Sequence, residues 1–190
     1  MPDPSDRRSH RLFVAFDVPA AAAEAVERAI APWRGRLPGA RWIPRENWHV
    51  TLKFLGQTRP GLEPWIRERI AEAAAAGAPA PSRTTSLGRF PSRGRARVLW
   101  AGLEDAGGSL ARLAGALDAT LEPEFAPETR PYTPHLTLAR AEPPLEVPPA
   151  FAETVLEPVP VRIEAVTLFR SHPGRPVPRY EPLATWPLRG

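Results

Sequence analysis

Two tetrapeptides in this chain pair an imidazole with a hydroxyl at the spacing of one face of a β-strand. His49-Val50-Thr51-Leu52 returns as His135-Leu136-Thr137-Leu138. The chain has four histidines, and these two carry a threonine two residues on and a leucine three on. Both runs sit in apolar, β-branched company, which favours strand. Residues i and i+2 of a strand face the same side. Each motif therefore presents His and Thr on one face and buries Val50 and Leu52, or Leu136 and Leu138, on the other. Two such strands bordering one cleft would offer it two imidazoles and two hydroxyls.

That set suits proton transfer at a phosphate. Histidine's ordinary pKa of about 6.5 lets one imidazole be neutral while another is charged near neutral pH. One then acts as base and the other as acid, with no metal. Two threonine hydroxyls can donate to non-bridging oxygens where charge develops. With water as nucleophile and an alkoxide as leaving group, a strained cyclic phosphodiester fits so spare a toolkit. A zinc site would need further ligands from His10, His172 or a carboxylate. Neither motif has a second His at a ligand spacing, and threonine is a poor zinc ligand, so no metal is expected. The bland alternative is a pair of merely polar strand faces.

The elements that must position these groups are legible in outline. Residues 11–17 read as a strand, and Pro19 opens a helix through about residue 34. A turn over 35–39, a short strand over 40–43 and a loop lead to the first motif strand, 49–55, ended by Gly56. A helix is expected over 64–76, stopped by Gly77 and Pro79. Strands 84–90 and 97–101 form a hairpin around a turn at 91–94. Residues 107–121 form an amphipathic helix with Leu110, Leu113, Ala114 and Leu117 on one face. A loop over 123–134 enters the second motif strand, 135–139, and a Pro/Glu-rich connection over 141–150 comes next. One long strand over 161–169, a Pro/Gly-rich turn over 171–178 and a last strand over 179–188 complete the chain. The order implies mixed α+β architecture with antiparallel pairing. Each half runs strand, helix, then a loop into His-x-Thr-Leu, which suggests two related lobes.

Composition bounds the partners. The chain has 190 residues, 43% apolar and 24% charged, with a net charge of +4, ordinary values for a globular protein. The mild positive excess permits an anionic partner. Lys53 is the only lysine among 25 basic residues; arginine grips phosphate in a bidentate fork. The 26 prolines and 13 glycines stay below the share that signals disorder. Without cysteine there is neither a disulfide framework nor a thiolate metal site. No apolar run reaches the roughly 18 residues that span a membrane. Arg7, Arg8 and Arg11 before an apolar run imitate a signal peptide, but Asp17 and Pro19 cut that run short. A cytoplasmic monomer is expected, one bilobal domain over 1–190 with residues 1–9 as a loose leader.

WHVTLKFLG (residues 48–56) and PHLTLAR (residues 134–140) resemble the paired His-x-Thr-x motifs of the 2H phosphoesterase superfamily. The likeness is closest to the RNA 2′,3′-cyclic phosphodiesterases, also called 2′-5′ RNA ligases. RLFVAFDVP, RVLWAGL (residues 97–103) and VTLFRS (residues 166–171) sit where that family would have them. The resemblance implies a two-lobed fold, with antiparallel sheets lining a central cleft and helices outside. It implies hydrolysis of RNA ends bearing a 2′,3′-cyclic phosphate to 2′-phosphomonoesters, with 2′-5′ ligation as the reverse, and no cofactor. It assigns His49 as proton donor, His135 as proton acceptor, and Thr51 and Thr137 as phosphate holders. The residues alone leave open which histidine is acid and which base.

Lys53 shares parity with His49 and Thr51, so it is a candidate to meet a phosphate in the cleft. Parity puts Arg140 opposite His135 unless the strand bends; the resemblance supports a role near the site. On the loop before the second motif, Tyr132 could stack a base and Arg130 could meet a phosphate. Trp48 and Phe54 read as packing, and His10 and His172 as surface residues. Two other functions stay open: a phosphodiesterase for small cyclic phosphates or 2′-5′ oligonucleotides, and a non-catalytic RNA-binding module.

Overall fold

In the computed structural model, which describes residues 9–174 and 177–190, nine strands and four helices make an α+β fold. The expected leader lies outside these residues apart from Ser9, as do two positions of the expected 171–178 turn. The strands are β1 (His10–Asp17), β2 (Arg41–Trp42), β3 (His49–Thr58), β4 (Ala80–Phe90), β5 (Ala96–Leu103), β6 (His135–Leu145), β7 (Pro160–Ile163), β8 (Ala165–His172) and β9 (Arg179–Pro187). The helices are α1 (Ala20–Arg34), α2 (Glu63–Ala76), α3 (Ser109–Leu121) and α4 (Pro149–Ala152).

All pairings are antiparallel, and the strands lie in the order β7-β4-β5-β6-β3-β1-β8-β9, with β2 on β6. This order has a two-fold character. The motif strands β6 and β3 lie at the centre, flanked by β5 and β1, then β4 and β8, then β7 and β9. The halves meet at one registered pair, Val50 and Leu136. β7 and β8 are consecutive in the chain yet lie in opposite halves, joined through Glu164 alone, so the sheet curls on itself. The expected single strand over 161–169 is therefore two strands. Its alternation conceals that β7 pairs with β4 while β8 pairs with β1.

One face of the curled sheet is covered by helices. Ala22, Val26, Ile30 and Trp33 of α1, Ile66 and Ile70 of α2, and Leu110, Leu113, Leu117 and Leu121 of α3 join Val50, Leu52, Leu136 and Leu138 in one buried cluster. Their three- and four-residue spacing is the helical stripe read from sequence. The Asp105 carboxylate accepts from the Leu110 and Ala111 amides at 2.8 and 2.9 Å, satisfying two free donors at the start of α3. The two motif strands outrun their expected ends. β3 passes through Gly56, whose φ of 70° only glycine adopts without strain, to Thr58. β6 continues past residue 139, because pairing with β5 persists to Ala96–Leu145 although Pro143 and Pro144 lack an N–H.

Candidate active site

β3 and β6 bring the two motifs side by side. The Val50–Leu136 pair fixes the antiparallel register. One step outward, that register sets His49 across from Thr137, and one step inward it sets Thr51 across from His135. Residues so placed share a face, with Cα atoms roughly 5 Å apart. The result is a four-cornered set in which each imidazole faces the other motif's hydroxyl. All four residues are half-buried, while Val50, Leu52, Leu136 and Leu138 are buried beneath them.

Both imidazoles are held alike. His49 Nδ1 lies 2.9 Å from the Asn47 carbonyl oxygen, and His135 Nδ1 lies 2.7 Å from that of Thr133. A carbonyl only accepts, so Nδ1 carries the hydrogen and Nε2 keeps its lone pair in the neutral ring. Neither Nε2 nor either threonine hydroxyl has a hydrogen-bond partner among the described residues. Aromatic rings wall each histidine. Phe13 lies 4.7 Å from the His49 ring, and Tyr180 meets it edge-on at 5.0 Å. Phe90 meets His135 edge-on at 5.1 Å, and Trp100 lies 6.2 Å away. The Trp100 indole fits only because its cross-strand partner is Gly88, where a Cβ would stand 2.2 Å from the ring.

This enclosure governs the charge. Burial pulls His49 down to about 4, helped by the nearby charges of Arg140 and His135 and opposed by the Asn47 hydrogen bond. Burial, and then Arg140, also holds His135 below its ordinary value, against the Thr133 hydrogen bond. Both rings are thus mainly neutral near pH 7 in the free protein. Among the described residues no group of three or more His, Cys, Asp or Glu is arranged to hold a metal ion.

The other sequence candidates part company. In each motif strand the leucine of His-x-Thr-Leu is skipped in the pairing. β1 matches Ala15 to Thr51 and then Val14 to Lys53, and β5 matches Trp100 to Thr137 and then Leu99 to Ala139. These are β-bulges, and each reverses the facing of the residues beyond it. Lys53 therefore turns away from the cleft, correcting the expectation from parity. It is 2% exposed and donates to Asp118 on α3 and, at 2.8 Å, to the Ala126 carbonyl. Phe54 takes its place on the cleft side at 52% exposure, where simple packing was expected. The β6 bulge at Leu138 likewise turns Arg140 onto the face of His135. Tyr132, the candidate for stacking a base, spends its hydroxyl on the Thr51 carbonyl at 3.1 Å and packs half-buried against the core, so it braces β3. Arg130 is exposed on its loop, without a hydrogen bond or ion pair among the described residues. Trp48 is buried, as expected. His10 and His172 are half-buried, not surface residues, and His172 lies 2.5 Å from Glu181.

Sequence reading missed the aromatic walls. Their signal was available: Phe13 and Ala15 of β1 alternate with the buried Leu12, Val14 and Phe16, and so belong to the motif face.

Comparison with known proteins places the chain in a family. An RNA 2′,3′-cyclic phosphodiesterase of Thermus thermophilus is 34% identical over 97% of this chain and 91% of its own length. One of Geobacillus stearothermophilus is 30% identical over 97% of this chain, which spans only 59% of that longer relative. The crystal structure of E. coli LigT complexed with 3′-AMP superposes with a TM-score of 0.75 at 25% identity, covering 96% of this chain and 99% of that one. The family model described as the 2′-5′ RNA ligase superfamily matches residues 18–175, and with that match spanning most of the sequence, the chain belongs to the 2′-5′ RNA ligase superfamily.

Proposed function

We propose that this protein hydrolyses RNA ends bearing a 2′,3′-cyclic phosphate to 2′-phosphomonoesters, without a metal or organic cofactor, each chain carrying a complete site. The observation that carries the reading is the four-cornered set of two imidazoles and two hydroxyls across the Val50–Leu136 register. The names of the curated relatives and the 3′-AMP complex of E. coli LigT support the substrate class.

The steps balance with these groups alone. His135 Nε2 takes a proton from water as its oxygen bonds to phosphorus. The bond from phosphorus to O3′ breaks, and His49 Nε2 delivers a proton to that oxygen. The product carries a 2′-phosphate and a free 3′-hydroxyl, and the two rings exchange protons with solvent to reset. Thr51 and Thr137 donate to the non-bridging oxygens, and the Arg140 guanidinium offsets their charge. Fixed donors of this kind serve the transition state most when they need no rearrangement. The carbonyls of Asn47 and Thr133 supply that fixity, orienting each ring before substrate arrives. Run in the same direction with an RNA 5′-hydroxyl in place of water as the nucleophile, the same shuttle joins ends through a 2′-5′ linkage.

The test is turnover of a cyclic-phosphate-ended RNA in the presence of a chelator. Wild type is expected to work undiminished. His49→Ala and His135→Ala are each expected to lose about 10²–10⁴-fold in kcat, the usual worth of a positioned acid or base, while keeping wild-type circular dichroism. Full activity in either variant, or loss of wild-type activity to the chelator, would refute the reading.

A further inference from the structure

Three arginines beside the candidate site stand in an arrangement that folding alone does not explain. Arg41 of β2 and Arg140 of β6 are direct antiparallel partners. Directly opposed residues leave the sheet on one face, and like charges so placed repel. Arg97 of β5 borders the same cavity of about 360 Å³. All three are exposed, and none has an ion-pair or hydrogen-bond partner among the described residues. Other arginines do pair: Arg28 with Glu157, Arg34 with Glu27, Arg67 with Glu63, Arg69 with Glu72 and Arg83 with Glu104. The cavity contributes one carboxylate, Glu142, against three guanidinium groups. It therefore keeps a positive excess that a bound anion would relieve.

The position names the anion. Arg140 lines this cavity and also lies on the cleft face with His135 and Thr137, so it stands between the two. If the cyclic phosphate sits at the two histidines, the next negative charge in the same molecule is the phosphodiester on its 5′ side. A neighbouring cavity of about 490 Å³, lined by residues close in sequence on the same three segments, adds Arg36 and Arg95 against one carboxylate, Glu146. A succession of basic positions fits a strand better than a single small anion.

Resting on the phosphodiesterase reading above, we propose that Arg41 and Arg97, next to Arg140 at the reacting phosphate, hold the phosphodiester 5′ to the reacting nucleotide. The preferred substrate is then an oligoribonucleotide end, not a mononucleoside cyclic phosphate.

The experiment compares kcat/KM for a ribonucleoside 2′,3′-cyclic phosphate and for a tetraribonucleotide ending in one. Wild type is expected to favour the tetranucleotide about tenfold or more. Arg41→Ala/Arg97→Ala is expected to lower kcat/KM for the tetranucleotide about tenfold more than for the mononucleotide. It should also flatten the tetranucleotide's logarithmic salt dependence by about 0.7, one single-strand phosphate contact's worth. Arg162→Ala removes one arginine paired to Glu164 on the remote β7, and should leave the ratio at its wild-type value. Equal wild-type use of both substrates, or a ratio and salt slope untouched by the double variant, would overturn the proposal. Turnover of neither substrate by wild type would overturn the phosphodiesterase reading itself.

Discussion

Each motif imidazole gives its Nδ1 hydrogen to the carbonyl two residues upstream and leaves Nε2, without a hydrogen-bond partner among the described residues, for the proposed proton transfer. The same burial that fixes the rings makes them poor hosts for a charge. His49, to which the resemblance assigns the donor role, is held near 4 in the free protein. In the proposed reaction, activity near neutral pH then depends on the substrate, whose negative phosphate favours the charged form of both rings. The pH dependence should report this. The kcat/KM profile reflects the free protein, so its alkaline limb is expected below pH 6.5. The kcat profile reflects the complex, so that limb should move to higher pH. Arg140 depresses both histidines; Arg140→Gln should therefore shift the kcat/KM limbs to higher pH while lowering their height. Limbs that stay put or move down in that variant would contradict the electrostatics. The two histidines act on each other, so these limbs belong to the pair.

At the scale of the element, one bulge per motif strand decides which neighbours join the site. Skipping Leu52 sends Lys53 inward and Phe54 outward; skipping Leu138 sends Ala139 inward and Arg140 outward. The inward lysine ties β3 to α3 and to the loop before the second motif. Its ammonium meets Asp118 and the Ala126 carbonyl, and Asp118 accepts the Glu128 amide at 3.0 Å. Tyr132 adds the bond to Thr51. The loop that delivers His135 is thereby anchored to the strand that carries His49. Asp118→Ala should cost roughly 3–5 kcal/mol of stability, since it leaves a buried charge unpaired. Lys53→Met removes the charge and fills much of the volume, and should cost far less. Urea unfolding of the two variants checks this; equal losses would mean that the buried charge is not the issue. Here lies the limit of sequence reading. Alternation found the strands and placed His49, Thr51, His135 and Thr137 on one face, because parity holds within each motif. It failed one residue later at Lys53, because a bulge leaves the composition of a strand unchanged. Glu164 escaped for a similar reason: the alternation of 161–169 runs through the point where the chain changes half-sheets.

Taken whole, the molecule is a curled antiparallel sheet with an approximate two-fold relation between halves, crossing at Val50 and Leu136. Motif spacing, helix faces and the repeat of strand, helix and loop made this architecture legible in the sequence. The curl was not, because it depends on β7 and β8 pairing at opposite sides of the order. The symmetry is also incomplete where function would need a difference. His49 is enclosed by Phe13, Phe169 and Tyr180, and His135 by Phe90 and Trp100. The post-bulge position facing the cleft is Phe54 on one side and Arg140 on the other. Two alike proton carriers in unlike surroundings are what an acid and a base require. Which ester oxygen leaves is the point at which this assignment meets the substrate. The most direct measurement is the terminal structure of the product formed from an RNA ending in a 2′,3′-cyclic phosphate, read by phosphorus NMR with chelator present. A 2′-phosphate beside a free 3′-hydroxyl is the predicted result; a 3′-phosphate, or an unopened ring, would contradict the account.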